Sequence, residues 1–170
     1  MILAASAYEF VLAIHIMAVV VAFGVTFAYP IVYAVGARHD PRSLPLLHRV
    51  EYTIARWLVN PGLAVVVIAG IYLAGDGHHW SEFFVQWGLG TAIVIGGLVG
   101  AVMMPAGKRA ELLAERDLKA GGAGAGPGEG APQAPVMSDE YRMLTRRLAT
   151  VGTLLSLLVL VTILIMVIKP

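Results

Sequence analysis

Residues 8–35 read YEFVLAIHIMAVVVAFGVTFAYPIVYAV. The stretch is almost wholly apolar, and Glu9 near its start carries its one formal charge. At 1.5 Å of rise per residue it exceeds the roughly 20 residues a helix needs to cross a bilayer. Inside it sits His15, an imidazole placed where water is scarce.

Three further stretches have the same character, over residues 56–74, 83–104 and 148–168. The whole chain of 170 residues is 58% hydrophobic and 14% charged. Soluble domains run nearer a quarter charged, and here all the charges but Glu9 and Arg56, each at a stretch's edge, fall outside the apolar stretches. Backbone groups in lipid must be paired within the segment, so each stretch reads as a helix rather than a strand. The expectation is an all-α fold: a four-helix transmembrane bundle forming one membrane domain over residues 1–170. There is no cysteine, which excludes disulfides, thiolate metal sites, iron–sulfur clusters and covalently attached haem.

The basic residues assign an orientation. Arg38, Arg42, Arg49 and Arg56 cluster before the second span, and Lys108, Arg109, Arg116, Lys119, Arg142, Arg146 and Arg147 lie between the third and fourth. Lys169 stands alone at the other end. The positive-inside rule therefore places both termini and the GDGHHWSEFF connection outside a bacterial inner membrane, with the two basic connections in the cytoplasm. The first stretch has no basic leading segment and no small-x-small cleavage pattern, so it reads as a retained span. Residues 120–136, AGGAGAGPGEGAPQAPV, read as a flexible linker. The preceding PAGKRAELLAERDLKA reads as a helical extension, and Ser138 as the cap of a helix entering the fourth span.

At 100° per residue, Tyr8, His15, Ala18, Ala22, Thr26, Tyr29 and Tyr33 fall within an arc of about 80°. His15 thus belongs to a stripe of polar and small residues that faces other helices rather than lipid. Thr91 and Thr162 fall at a comparable depth, so a threonine hydroxyl or a kinked backbone carbonyl is one expected partner. A metal or haem iron is the other. Pro61 cannot donate to the carbonyl of Trp57, which predicts a bend at the basic end of the second span. Asn60 beside it is expected to cap the freed carbonyl or to meet Tyr29 or Tyr33. Gly88, Ala92, Gly96 and Gly100 recur every fourth residue, a small-residue ridge suited to close helix packing within the chain or across a dimer. His78 and His79, with Asp76 and Glu82 nearby, read as a polar interfacial loop first and a divalent-metal site second.

HIMAVVVAFGVTFAYPIVY (15–33) and the closing LIMVIKP resemble the opening helix and the end of the four-helix membrane protoporphyrinogen oxidases of the HemJ type. NPGLAVVVIAGIYLA, the Trp before the third span, MMPAGKR and the closing KP resemble, more closely, a bacterial family of four-span membrane proteins of unknown function, the domain of unknown function 2269 type. The oxidase resemblance implies a haem-ligand role for His15 alone. The matching part of the third span, SEFFVQWGLGTAIV, carries no second histidine.

Three functional readings follow. In the first, the bundle binds haem b or a porphyrin, with His15 as the iron ligand. Tyr29, Tyr33, Arg56 and Asn60 then line the same cavity, and Arg56 pairs a propionate. In the second, the protein is a structural or assembly subunit that packs on itself or on another membrane protein through the glycine ridge. In the third, it is a small-solute transporter using His15, Thr26 and Tyr29, although no carboxylate lies near mid-membrane. A soluble hydrolase is excluded because no nucleophile constellation or phosphate loop is present. The basic residues sit as loop anchors rather than as a face, which excludes nucleic acid as a partner.

Overall fold

A computed structural model describes residues 6–123 and 137–169. Residues 124–136, most of the expected linker, lie outside the described residues. The described chain is all-helical, with four helices long and apolar enough to cross a membrane. They are α1 (Ala7–His39), α2 (Pro41–Asp76), α3 (Phe83–Gly121) and α4 (Asp139–Ile168).

Each helix outruns the apolar stretch inside it. The expected connection over residues 36–55 is helical on both sides of Asp40, whose side chain accepts from the Arg42 backbone N–H at 2.9 Å. Residues 44–54 form the first regular α-helical segment of α2. At the opposite end, α1 starts with a capping box. The Glu9 N–H donates to Ser6 Oγ at 3.2 Å and the Ser6 N–H donates to Glu9 Oε2 at 2.8 Å. These reciprocal bonds satisfy donors that a helix start leaves free.

Three prolines set three irregular turns. A proline clashes with the carbonyl four residues back and cannot donate to it. Pro30 thus disturbs Thr26, within the tight turn Val25–Ala28. Pro61 disturbs Trp57, within the widened turn Ala55–Val59. Pro105 disturbs Ala101, within the widened turn Val99–Met103. An irregular turn thus precedes each of the three prolines, and the helices continue through them.

Each helix packs on the next. A central core takes Ala22 and Phe23 from α1, Val59 from α2, Ile95 from α3 and Val159 from α4. A second core, at the basic end, gathers Leu44, Ala110, Leu113, Ala114, Met137 and Tyr141. Outside them the four helices present bare apolar side chains, such as Ile31 at 67% and Ile93 at 70% exposure. Monomeric soluble proteins do not leave such continuous belts uncovered.

Ion pairs tie the helices beyond the apolar stretches. Arg49 of α2 reaches Glu111 at 2.8 Å and Glu115 at 3.1 Å on α3. Arg109 and Arg116 of α3 both reach Glu140 of α4. These pairs are exposed and contribute little individually. Asp117 is different, because it is buried. Its Oδ2 accepts from the Ser138 backbone N–H at 2.9 Å, and its Oδ1 accepts from Arg116. Ser138 in turn caps α4 by accepting from the Tyr141 N–H at 3.3 Å.

Burial pushes the Asp117 carboxyl up, but the hydrogen bonds from Ser138 and Arg116 outweigh it and leave the group below its usual range. A depressed carboxyl stabilises the fold above the ordinary carboxylate range and stops doing so as pH falls through its lowered folded value. The melting temperature of Asp117→Asn, followed by circular dichroism in detergent, is therefore expected to lie below wild type at neutral pH. The gap should close under acid. A gap that persists unchanged at low pH would mean Asp117 acts by shape rather than charge.

Candidate functional site

Two sites emerge, one at each end of the bundle, and they divide the residues that the sequence placed together.

The first is a cavity of about 400 Å³ at the His78–His79 end, walled by all four helices. That size lies within the usual range of small-molecule sites. Its lining is overwhelmingly apolar, with His15, Thr91 and Thr162 as its inner polar groups and Tyr8, His79, Trp80 and Lys169 among its other residues. Trp87 Nε1 donates to Thr162 Oγ1 at 3.1 Å, so that hydroxyl already has a partner. His15 bonds neither threonine. Its Nδ1 lies 2.9 Å from the Val66 carbonyl oxygen.

That contact determines the tautomer. A carbonyl only accepts, so Nδ1 carries the proton and Nε2 keeps its lone pair. Gly70 lies beside the ring, and a Cβ there would make ordinary contact with it, 3.4 Å from His15 Cε1 and 3.7 Å from Nδ1. Val66 lies inside regular α-helix rather than at a kink. Among the described residues nothing bonds Nε2, and His15 lines the cavity. A neutral imidazole with one fixed and one free nitrogen has the disposition of a metal-ligating histidine. Met166 brings a thioether to the same cavity.

The other expected cofactor residues are not in this cavity. Asn60 is exposed, with Nδ2 3.5 Å from Met104 Sδ, and meets neither Tyr29 nor Tyr33. Arg56 is exposed and lies over the ring of its neighbour Trp57 at 5.9 Å. Thr26 donates back to the Phe23 carbonyl at 2.7 Å. The glycine ridge is divided as well. Gly88 meets Met166 and Gly96 meets Leu63 within the chain, Ala92 lines the cavity, and Gly100 faces open space. Among the described residues no three acidic or histidine side chains converge as a metal site, and His78, His79, Asp76 and Glu82 form no such group.

The second site lies at the basic end, where Tyr33 of α1 meets His48 and Glu51 of α2 and Tyr141 of α4. The Tyr33 hydroxyl donates to Glu51 Oε2 at 2.5 Å and lies 2.8 Å from His48 Nδ1. His48 Nε2 lies 3.0 Å from the Tyr141 hydroxyl. His48 is 4% exposed and Tyr141 6%. The His48 ring packs 4.9 Å from Tyr33 and edge-on to Tyr141 at 5.9 Å. Tyr29, one turn along from Tyr33, has a buried hydroxyl with no partner among the described residues.

His48 and Glu51 lie outside the apolar stretch 56–74, and protein rather than lipid desolvates them. Burial lowers His48 to about 4, against a smaller upward pull from Glu111. Burial raises the Glu51 carboxyl above its usual range, partly offset by the Tyr33 hydrogen bond. Burial shifts both groups toward the uncharged form.

Neither residue was singled out from the sequence. The signal was nonetheless present: Leu44, Leu47, His48 and Glu51 follow the i, i+3, i+4, i+7 spacing of one helix face. A histidine and a carboxylate on an otherwise apolar stripe are candidates for a buried polar network.

Comparison with family models, curated proteins and solved structures finds no match to this chain, so its functional reading rests on the geometry of these two sites.

Proposed function

We propose that this chain is an integral protein of the bacterial cytoplasmic membrane, with residue 6 and residue 169 on the outer side, and that its outer cavity binds haem b or a related porphyrin through His15. One observation carries the reading: a free imidazole nitrogen, its ring locked by the Val66 carbonyl, on the wall of an apolar cavity of about 400 Å³. The resemblance of residues 15–33 to the opening helix of the membrane protoporphyrinogen oxidases agrees with it.

The residues present fit such a group. His15 Nε2 would be the iron ligand. The apolar walls exclude water, and Lys169, which lines the cavity with its ammonium 5.5 Å from the Phe84 ring, is the cation available to a propionate. Bound there, haem would supply one-electron transfer. Arg56, Tyr29, Tyr33 and Asn60 have no part in this site.

The test is the visible spectrum of protein expressed with haem precursor and purified in mild detergent. Wild type is expected to show a Soret band that shifts on reduction. His15→Ala should lose it by at least about tenfold, since removal of even a ligand's supporting partner costs ten- to a hundredfold in affinity. The variant should keep its helix content, because the Val66 carbonyl sits within a regular helix and retains a helical donor. A colourless wild type, or equal bands in the two proteins, overturns the reading.

A further inference from the structure

The basic-end network has a directional property that the cavity reading does not use. Its hydrogen bonds connect four side chains in series: Tyr141, His48, Tyr33 and Glu51. With Glu51 ionised, the carboxylate accepts the Tyr33 proton. Tyr33 has one proton, so its oxygen must accept from His48, and His48 is the Nδ1–H tautomer. His48 Nε2 is then a lone pair that accepts from the Tyr141 hydroxyl. Every donor in the chain points toward Glu51.

We propose that this chain is a single-proton relay, with Glu51 as its terminal acceptor and Tyr141 as its entry.

The transfer balances in one concerted shift. A proton delivered at the basic end joins the oxygen of Tyr141, which is 6% exposed, as the Tyr141 proton moves to His48 Nε2. The His48 Nδ1 proton moves to the Tyr33 oxygen, and the Tyr33 proton moves to Glu51 Oε2. One proton enters and one carboxylate becomes a carboxylic acid. Tyr141, His48 and Tyr33 stay neutral throughout, and His48 exchanges its Nδ1–H tautomer for Nε2–H. The end state keeps every hydrogen bond with reversed polarity. Glu51 then donates to Tyr33, Tyr33 to Nδ1, and Nε2–H to Tyr141. Such a chain has two polarities, and each keeps the same three hydrogen bonds.

The surroundings favour a neutral path. Glu111 of α3 faces His48 and Asp117 faces Tyr141, as their charges register at these groups. Arg49 is turned outward onto Glu111 and Glu115 and does not neutralise Glu51. Burial holds His48 neutral down to about 4 and lifts Glu51 above the usual carboxylate range, so Glu51 takes its proton first. One turn from Tyr33, the buried Tyr29 hydroxyl has no partner among the described residues.

The experiment uses the full chain in lipid nanodiscs. Infrared difference spectra on acidification report the protonated Glu51 carboxyl, identified by its loss in Glu51→Gln. Nitrogen-15 NMR reports the His48 tautomer, identified by its absence in His48→Gln. Expected is a carboxyl band whose rise coincides in pH with a switch of His48 from Nδ1–H to Nε2–H, with no imidazolium formed. In Tyr33→Phe the Glu51 band should still appear while His48 no longer switches with it. A network that only packs would show no such uncoupling. The proposal is overturned if Glu51 titrates with His48 unchanged, if His48 becomes doubly protonated instead, or if Tyr33→Phe leaves the switch intact.

Discussion

Gly62→Leu is expected to abolish the folded bundle, and Gly97→Leu to leave it unaltered. Both are glycines inside long apolar helices, and sequence alone does not separate them. At Gly62 an added Cβ would lie 2.5 Å from Ala22 Cβ, 3.5 Å from Ala22 Cα and 3.8 Å from the Ala18 carbonyl oxygen. The obstacle is mostly backbone of α1, and Ala22 is fully buried, so no flexible side chain can swing aside. Even alanine must push the two helices apart, and overpacking of this kind costs about 1–3 kcal/mol. The gain of roughly 1 kcal/mol in helix propensity offsets only part of that. Leucine adds three further heavy atoms and cannot be accommodated at this separation. At Gly97 nothing lies within 4 Å, and the position is exposed. Resistance to unfolding in a dodecylsulfate titration should therefore fall for Gly62→Ala, vanish for Gly62→Leu and stay at or slightly above the wild-type value for Gly97→Leu. If Gly62→Ala unfolds with wild type, the close approach of α1 and α2 is not what holds them together.

The contrast also shows which parts of this fold sequence reasoning reaches. Length and hydropathy locate four helices because lipid admits few alternatives for an apolar segment. The proline rule, applied at Pro61, also accounts for the irregular turns before Pro30 and Pro105, since it depends only on a missing N–H and a steric clash four residues back. Close packing is another matter. The regular spacing of Gly88, Ala92, Gly96 and Gly100 is a property of one helix, whereas the Gly62–Ala22 approach depends on two. No periodicity within α2 reveals what lies opposite Gly62.

The candidate site was partly legible for the same reason. The helical wheel places His15 on an inward stripe, and the cavity wall is where it lies. The same stripe carries Tyr29 and Tyr33 toward the opposite end of α1, where they meet different neighbours. A wheel projects away the axial coordinate, so residues some 20 Å apart along a helix can look like one cluster. The basic-end network escaped because the segments holding His48 and Asp117 are too polar for hydropathy to mark. Leu44, Leu47, His48 and Glu51 on one helix, and Ala110, Leu113, Ala114 and Asp117 on another, are nonetheless amphipathic stripes. In each, one polar member sits on the buried face.

That placement separates the two histidines energetically. His48→Ala is expected to destabilise the bundle by about 3–5 kcal/mol, combining a buried hole with an orphaned hydroxyl. The ring fills space between Tyr33 and Tyr141, and its removal leaves the buried Tyr141 hydroxyl without the partner it has at 3.0 Å. His48→Gln supplies a donor and an acceptor on a flexible stem and should recover part of the loss. His15→Ala removes a ring from the wall of an existing cavity, and its partner carbonyl lies within regular helix. Interhelical hydrogen bonds in membranes average only about 0.6 kcal/mol, so its cost should stay below about 1 kcal/mol. Unfolding titrations of the three variants, in one detergent and without added haem, compare these directly. A large loss at His15 would make that ring a structural strut and withdraw the argument that its free nitrogen is held for a ligand. A small loss at His48 would mean that the hydrogen-bonded series from Tyr141 to Glu51 is not formed in the folded protein.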